Sequence, residues 1–331
     1  MPSVLEKFQQ DRTQAMLWLL DNMIWPILLL ALVVFALLLP EVFSTQENLT
    51  FLLYTSAAAG SLALAESLCL LSGNFDLSVG SIAGFSAMFT ALFMTEWFPA
   101  TPGVVGIAII LAVGGLIGLV NGFSIAYLGV NPFLQTLAFL IIFRGGVKLL
   151  STLSISGLPD SYTVVGGGNV GPVPIAVVLI LALFAVSWFV LNYTRFGLAI
   201  YAVGGDEDAS AESGINTKHI VLAVFTISGV LSGLAGLLFT GFLGVATPTL
   251  AENAVFPAFA ASVIGGISLF GGRGNIIGAY GGVLLLTSLE VALVQLQVDP
   301  NAIQTVNGVV LLAAILLYTF EARARKRILS A

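Results

Sequence analysis

Long apolar runs dominate the chain, and polar residues gather in the short stretches between them. A bilayer core about 30 Å thick is crossed by about 20 apolar residues in a helix, where every backbone polar group finds an internal partner. These runs are continuous rather than alternating, which favours helices over the strands of a membrane barrel. They lie at 22–40, 51–71, 78–96, 103–128, 132–151, 173–191, 219–243, 254–270, 275–296 and 302–319. The pattern predicts an all-α, polytopic transmembrane bundle of about ten helices.

Composition supports this fold class. Hydrophobic residues make up 58% and charged residues only 8% of the chain, whereas soluble domains carry about 25% charged residues. No polar stretch is long enough for a second domain, so residues 1–331 are expected to form one transmembrane domain. The first apolar run is followed by Pro40-Glu41-Val42-Phe43, which offers no small-residue cleavage site. We therefore expect a retained helix rather than a signal peptide.

Basic residues predict the orientation, because Lys and Arg favour cytoplasmic loops. With ten spans both termini lie on one side, together with the loop 192–218. The outer loops 41–50, 97–102, 152–172 and 297–301 contain no Lys or Arg. The basic residues assigned to the cytoplasmic side are Lys7 and Arg12 in the head 1–21, Arg195, Lys218, Arg273, and Arg323, Arg325, Lys326 and Arg327 around the tail 321–331. Both termini are therefore predicted to be cytoplasmic.

Two polar, glycine-containing interruptions break the apolar pattern, at 71–80 and at 265–275. Broken helices of this kind are typical of transporters, where half-helix ends line a binding cavity. We expect the same role here. The faint similarity of the two stretches also suggests an inverted pseudo-repeat of two five-helix bundles.

Glycine is abundant, and two groups of glycines share a helix face. Small residues let membrane helices approach closely. The groups are Gly114, Gly115, Gly118 and Gly122, and Gly229, Gly233 and Gly236. Helix packing is the predicted role of both.

Few ionisable residues lie within the spans, and such residues often mark function. They are Glu66, Arg144, Lys148 and Glu290. Arg144 and Lys148 are four positions apart, so one helical face presents both to something polar, either in a functional pathway or to an acidic neighbour. Asp76, at the first interruption, is expected to cap the following helix, a role compatible with lining a solute pathway.

The sequence lacks the motifs that several other activities require. No G-x-x-x-x-G-K-[ST] run is present to cradle ATP phosphates, and no Cys/His cluster suggests a metal site. Cys69 is the single cysteine, so no internal disulfide is possible. No basic run interleaved with aromatics supports nucleic-acid binding.

The most polar connection, 192–218, is expected to contain a short helix. Asp206 is a plausible N-cap, Glu207 and Asp208 suit a helix N-terminus, and Gly214 would end the helix. A solvated linker has no need of such an element, whereas a docking site for a cytoplasmic partner does.

These motifs together resemble the permease subunits of bacterial and archaeal ABC importers for ribose, xylose and related sugars. Each motif is weak by itself, but they occur in the family's order between residues 51 and 320. The matching segments are 72–81, 131–137, 194–197, 202–205 with 213–215, and 263–274.

The resemblance implies an ATP-driven importer of a monosaccharide with several partners. Two permease chains, identical or related, would form the pathway in the lipid bilayer. Cytoplasmic ATPase subunits would drive it, and an extracytoplasmic solute-binding protein would deliver the sugar. The helix near 206–213 resembles the family's coupling helix. The predicted ATPase-coupling residues are Gly204, Gly205, Asp206, Glu207, Asp208, Ala209 and Gly214.

The sequence departs from the family pattern in three places. It has Asp206–Glu212 in place of Asn-Glu-Glu-Ala-Ala-Arg-Leu, and Gly73-Asn-Phe-Asp76 in place of Gly-Gly-Ile-Asp. Where the family usually has Glu-Leu-Asp, this chain has Val255–Pro257. Any role of those acids is therefore absent from this chain or is filled by another residue, for which the nearby Glu252 is the candidate.

The predicted substrate pathway includes an aromatic ring to stack on a sugar and amides to bond its hydroxyls. Its residues are Asp76, Asn121, Asn131, Phe133 and Arg144. A nucleoside or another small polar solute is the alternative within the same architecture. An ion-coupled secondary carrier is the alternative of another class, and an intramembrane enzyme has little support.

Overall fold

A computed structural model describes residues 22–43 and 45–330, which are helical over most of their length. Residues 1–21, the predicted basic head, lie outside the described residues. The helices are α1 (Ile24–Leu38), α2 (Pro40–Phe43), α3 (Gln46–Leu71), α4 (Val79–Leu92), α5 (Gly103–Leu128), α6 (Pro132–Leu150), α7 (Asp160–Gly167), α8 (Ile175–Tyr193), α9 (Arg195–Gly205), α10 (Glu207–Glu212), α11 (Thr217–Leu243), α12 (Val255–Ile264), α13 (Ile276–Gln295) and α14 (Pro300–Ser330). The predicted all-α, polytopic bundle is confirmed.

Two smaller elements complete the secondary structure of this part of the chain. A one-turn π-helix, Phe93–Trp97, continues α4. Strands β1 (Asn169–Val170) and β2 (Val173–Pro174) pair antiparallel as a short hairpin between α7 and α8.

Within the described residues, each of the ten predicted runs contains a helix. Seven are long and apolar enough to cross a membrane, namely α3, α4 with its π-turn, α5, α6, α8, α11 and α13. Shorter apolar helices fill the other three predicted runs, namely α1, α12 and Asn301–Leu317 within α14. The predicted span 254–270 is wrong in extent, because α12 ends at Ile264. Gly266 there adopts a left-handed φ of 94°, and the Ile267 N–H bonds back to the Ser262 carbonyl, as in a Schellman cap.

Contacts between loops define two ends of the bundle. At one, which we name the α10 end, the backbone of Gly73 packs against Gly204 and Gly271. At the other, the hairpin end, Ile155 and Ala246 exchange two backbone hydrogen bonds, and the Gly103 N–H donates to Ser161 Oγ. These groupings agree with the predicted alternation of loops between two sides.

The two predicted glycine faces pack on each other. A Cβ atom added to Gly114 would lie 2.3 Å from the Gly229 carbonyl oxygen, and one on Gly118 would lie 2.2 Å from that of Phe225. Gly236 instead meets Ala83 of α4. Helix α11 therefore lies between α5 and α4, and it also contacts α3. The prediction that these glycines serve helix packing is confirmed.

Candidate functional site

A cavity of about 370 Å³ lies between α3, α11, α12, α13 and α14. Thr55 and Leu62 line it from α3, and Val283 and Glu290 line it from α13. These four lie toward the middle of their helices, whereas Phe51 near the start of α3 and Val294 near the end of α13 extend the lining toward the hairpin end. Transporters bind their solute near the bilayer midplane, the depth that the inner part of this cavity reaches.

The polar part of the lining consists of acids, amides and hydroxyls. Among the described lining residues there is no lysine, arginine or histidine. The rest of the lining is apolar and includes the aromatic rings of Phe51 and Phe239. Carboxylates, amides and hydroxyls bond to hydroxyl groups, so this chemistry suits a neutral polyhydroxy solute. The polar members are Thr55, Thr249, Glu252, Asn253, Thr287, Glu290 and Asn307.

One wall of the cavity is an irregular segment, 244–254, between α11 and α12. It starts at Gly244, in a left-handed conformation, and contains Ala251, whose φ of 55° is unusual for a residue with a side chain. Its carbonyls approach α4 closely: a Cβ atom on Gly80 would lie 2.7 Å from the Ala251 oxygen. Irregular backbone is tolerated inside a membrane protein where protein buries it or where it lines a cavity. Here the segment lines the cavity, and Ala246 and Leu250 are its buried residues.

Glu252 in this segment is the partner of the two cations on α6. The Arg144 guanidinium donates to the Glu252 backbone carbonyl, and Lys148 Nζ lies 3.9 Å from Glu252 Oε1. The sequence left open whether these cations serve a pathway or pair with an acid. The structure pairs both with a residue that lines the cavity.

Asp76 and Asn121 meet in a buried polar network between α4, α5 and α11. The Asp76 carboxylate accepts hydrogen bonds from the N–H and hydroxyl of Ser78 and from Ser228 Oγ. Asn121 Nδ2 donates to Ser78 Oγ at 3.0 Å, and Gln135 Nε2 contacts Asn121 Oδ1 at 3.4 Å. Asp76 thus accepts an N–H just before α4 begins at Val79, close to its predicted capping role.

Asn131 and Phe133 lie at the start of α6. The Asn131 side chain caps this helix by accepting from the N–H groups of Phe133 and Leu134, while the Phe133 ring is half exposed. None of the five predicted pathway residues lines the cavity, although Arg144 contacts its wall. Their placement on the solute pathway stays a prediction.

Helix α10 forms within the predicted connection, with the predicted caps. Asp206 Oδ1 accepts from the Ala209 N–H at 2.9 Å. Gly214 adopts a φ of 84°, and the Ile215 N–H bonds to the Ser210 carbonyl, which closes the helix as a Schellman cap. The stretch from Gly205 to Ala209 is exposed. The short helix predicted near 206–213 is confirmed.

Gly204, in contrast, is buried where three chain segments meet. A Cβ atom there would lie 1.9 Å from the Leu71 carbonyl oxygen. The Gly272 N–H donates to the same Leu71 oxygen, and the Tyr201 hydroxyl donates to the Gly274 carbonyl. The last turn of α9 is therefore bonded or packed against both predicted interruptions.

Whether the two interruptions line a solute pathway stays a prediction. Neither 71–80 nor 265–275 contributes to the lining of the described cavity. Their glycines permit close backbone contact between segments at the α10 end, which is the physical reason for their abundance. The segment that does line the cavity, 244–254, was not singled out by the sequence. Its Gly244, Thr247, Pro248 and Thr249 cluster is a turn signal that could have identified it.

Seven helices of the described chain are long and apolar enough to cross a membrane, and the bundle encloses a cavity of solute size, as in a multi-pass membrane transport protein. Residues 48–317 match the family described as the permease component of the branched-chain amino acid transport system. The chain belongs to this permease family, and it is a multi-pass protein of the cell membrane.

The curated relatives cover nearly the whole chain. The D-allose transport system permease of Escherichia coli is 34% identical over 88% of this chain and 89% of its own length. The ribose import permease of Haemophilus influenzae is 32% identical, over 87% and 90%. The galactose/methyl galactoside import permease of Salmonella typhimurium is 32% identical, over 94% and 97%. No solved structure matches the chain.

Proposed function

We propose that this chain is the transmembrane subunit of an ATP-driven importer that carries a monosaccharide across the cell membrane. The cavity carries this proposal, because its polar lining of carboxylates, amides and hydroxyls suits a neutral sugar. The similarity to allose, ribose and galactose permeases supports the same substrate class.

The cavity favours a sugar over an amino acid, the substrate named in the family description. An amino acid carries a carboxylate, whose burial needs a cation or several N–H donors. The described lining offers two acids, which suit an ammonium group, but no cation for the carboxylate. The nearby Arg144 and Lys148 already contact Glu252. A nucleoside remains compatible with this lining and is an outcome of the substrate test.

The partners follow from the proposed importer. An ATPase subunit would dock at α10 and its flanking residues at the α10 end, which places both termini in the cytoplasm. A solute-binding protein would deliver sugar at the hairpin end, and a second permease chain would complete the pathway. The proposed ATPase-coupling residues are Gly204, Gly205, Asp206, Glu207, Asp208, Ala209 and Gly214. The stretch 205–209 is exposed and can make the contact, whereas Gly204 is buried and would act through its packing on the bundle.

Asp76, Asn121, Asn131, Phe133 and Arg144 belong to this proposal as residues near the pathway. The buried Asp76–Asn121 network joins α4, α5 and α11. Helix α11 in turn lines the cavity through Phe239. The network thus fixes helices around the solute, whether or not its own side chains touch it.

Reconstitution tests the proposal. Proteoliposomes containing the permease, its ATPase and its binding protein should accumulate the sugar only with ATP. Removing the catalytic residue of the ATPase should abolish uptake. Uptake that persists without ATP and collapses with the proton gradient would establish an ion-coupled carrier instead. A ligand screen of the binding protein separates a sugar from a nucleoside.

A further inference from the structure

Resting on the proposed function, we propose that Arg144 and Lys148 are positioning residues that latch the cavity wall 244–254, and that release of this latch opens the cavity. In this latch Arg144 and Lys148 stay in place on α6, and Glu252 moves with the cavity wall when the contacts break. Neither cation lines the cavity, so both act through Glu252.

The two cations hold different atoms of one residue. Arg144 bonds to the backbone carbonyl of Glu252, which fixes the course of the chain. Lys148, one turn further along α6, faces the carboxylate at 3.9 Å, which fixes the side chain that lines the cavity. Charges within an apolar helix are unfavourable without a polar partner, and Glu252 is the partner in the described chain for both.

The same helix also leads to the other end of the wall. The chain that continues from α6 reaches Ile155, which exchanges two backbone hydrogen bonds with Ala246. Contacts at Ala246 and Glu252 therefore attach segment 244–254 at two points to α6 and its continuation. A shift of α6 would move the wall with it. Breaking the contacts at Glu252 would free the part of the wall around that residue, while Ala246 stays attached.

Two features make the part of the wall around Glu252 suited to release from α6. The Lys148 side chain is 59% exposed and that of Glu252 is 29% exposed, and partly exposed ion pairs at this separation are weak. Ala251, adjacent to Glu252, adopts a φ of 55°. Such strained residues persist only where surrounding contacts hold them, and they cluster at switches. Loss of the Glu252 contacts would let this strain relax.

Cysteine accessibility tests the latch without knowledge of the solute. Cys69 is the single native cysteine and is buried, so Cys69→Ala provides a cysteine-free background. Ala258 lines the cavity and is 4% exposed, so Ala258→Cys places a hidden thiol there. Its rate of labelling by a small charged thiol reagent is measured in the purified full-length protein.

We expect Lys148→Met and Glu252→Gln each to raise the labelling rate at position 258 about two- to fivefold, as loss of a weak ion pair allows. Because they break the same contact, the double variant should match the singles. Lys148→Arg and the charge swap Lys148→Glu with Glu252→Lys should restore slow labelling. Lys218→Met, which removes a lysine that lies over the Tyr127 ring instead, is the matched control and should label slowly.

An unchanged rate in monodisperse Lys148→Met protein, or a charge swap that labels as fast as the singles, would overturn the latch. A latch that passes this test in a protein that imports no sugar would refute the proposed substrate alone. Sugar uptake with no change in labelling would refute the latch alone.

Discussion

Asp76 and Ser228 are 152 positions apart, yet the Ser228 hydroxyl donates a 2.9 Å hydrogen bond to the Asp76 carboxylate. Both residues are fully buried, and the bond joins the chain just before α4 to the middle of α11. The other carboxylate oxygen accepts from Ser78, whose hydroxyl also receives the Asn121 amide. In a low-dielectric interior a carboxylate without such donors would be strongly unfavourable.

The first prediction concerns this bond. Ser228→Ala leaves one buried carboxylate oxygen of Asp76 without its donor, so we expect a loss of about 1–3 kcal/mol of stability. Thermal unfolding of the purified protein in detergent measures it. Ser86→Ala is the matched control, because the Ser86 hydroxyl is buried without a partner in the described chain. Equal melting temperatures for the two variants would contradict the structural role of the bond.

The second prediction concerns the contact of α5 with α11. Gly118→Ala would place a Cβ atom 2.2 Å from the Phe225 carbonyl oxygen, forcing two helices apart, and we expect a loss of at least about 1–3 kcal/mol. Gly145→Ala on α6 meets nothing within 4 Å and should be neutral or slightly stabilising, since alanine favours helix. Unfolding midpoints in the same detergent compare them. A Gly118→Ala variant as stable as Gly145→Ala would show that the helices adjust freely.

The fold could be predicted from the sequence because the bilayer constrains local residue patterns. Ten apolar runs contain apolar helices, and the caps of α10 at Asp206 and Gly214 could be predicted from residue type and spacing. The two glycine faces were also legible, since small residues at helical spacing have few uses other than close packing.

The site was harder to predict because it depends on contacts between distant segments. Nothing local to Lys148 indicates that its partner is Glu252, about a hundred positions later. The interruptions at 71–80 and 265–275 carry the signal of a broken helix, but whether such a break faces a cavity or another loop is decided by tertiary packing. The early end of α12 was missed because hydropathy averages across Gly265 and Gly266. The wall 244–254 lies between two predicted spans, where its turn residues do not indicate that it faces a cavity.

The third prediction concerns solute recognition in the cavity. Glu290 lies in the lining and has no hydrogen bond or ion pair with another described residue, so its carboxylate is available to solute hydroxyls. Glu290→Gln should raise the KM for uptake about tenfold to a hundredfold, because hydrogen bonds to a charged group contribute about 1.5–3 kcal/mol. The concentration dependence of uptake in proteoliposomes measures KM. Glu96→Gln, outside the cavity lining, should leave KM unchanged, and a shared effect would remove Glu290 from recognition.

The fourth prediction concerns transmission from α10 to the bundle. Gly204 packs directly on the Leu71 carbonyl, so a Cβ atom there must push α9 away from both interruptions. We expect Gly204→Ala to reduce sugar uptake strongly while the assembled complex still hydrolyses ATP. Gly145→Ala is its matched control, because a Cβ atom at Gly145 meets nothing within 4 Å and the residue is outside the proposed ATPase contact, so uptake should stay normal.

The opposite side of the same element gives the complementary test. Glu207 is exposed on α10, so Glu207→Lys should leave the bundle intact and weaken ATPase docking, and Gly205→Pro should disturb the approach to α10 in the same way. Parallel assays of uptake, ATPase stimulation and co-purification of the ATPase distinguish loss of transmission to the bundle from loss of ATPase docking. Gly204→Ala should retain the ATPase and lose uptake, whereas Glu207→Lys should lose both. Normal uptake and normal stimulation in both variants would place the coupling contact elsewhere.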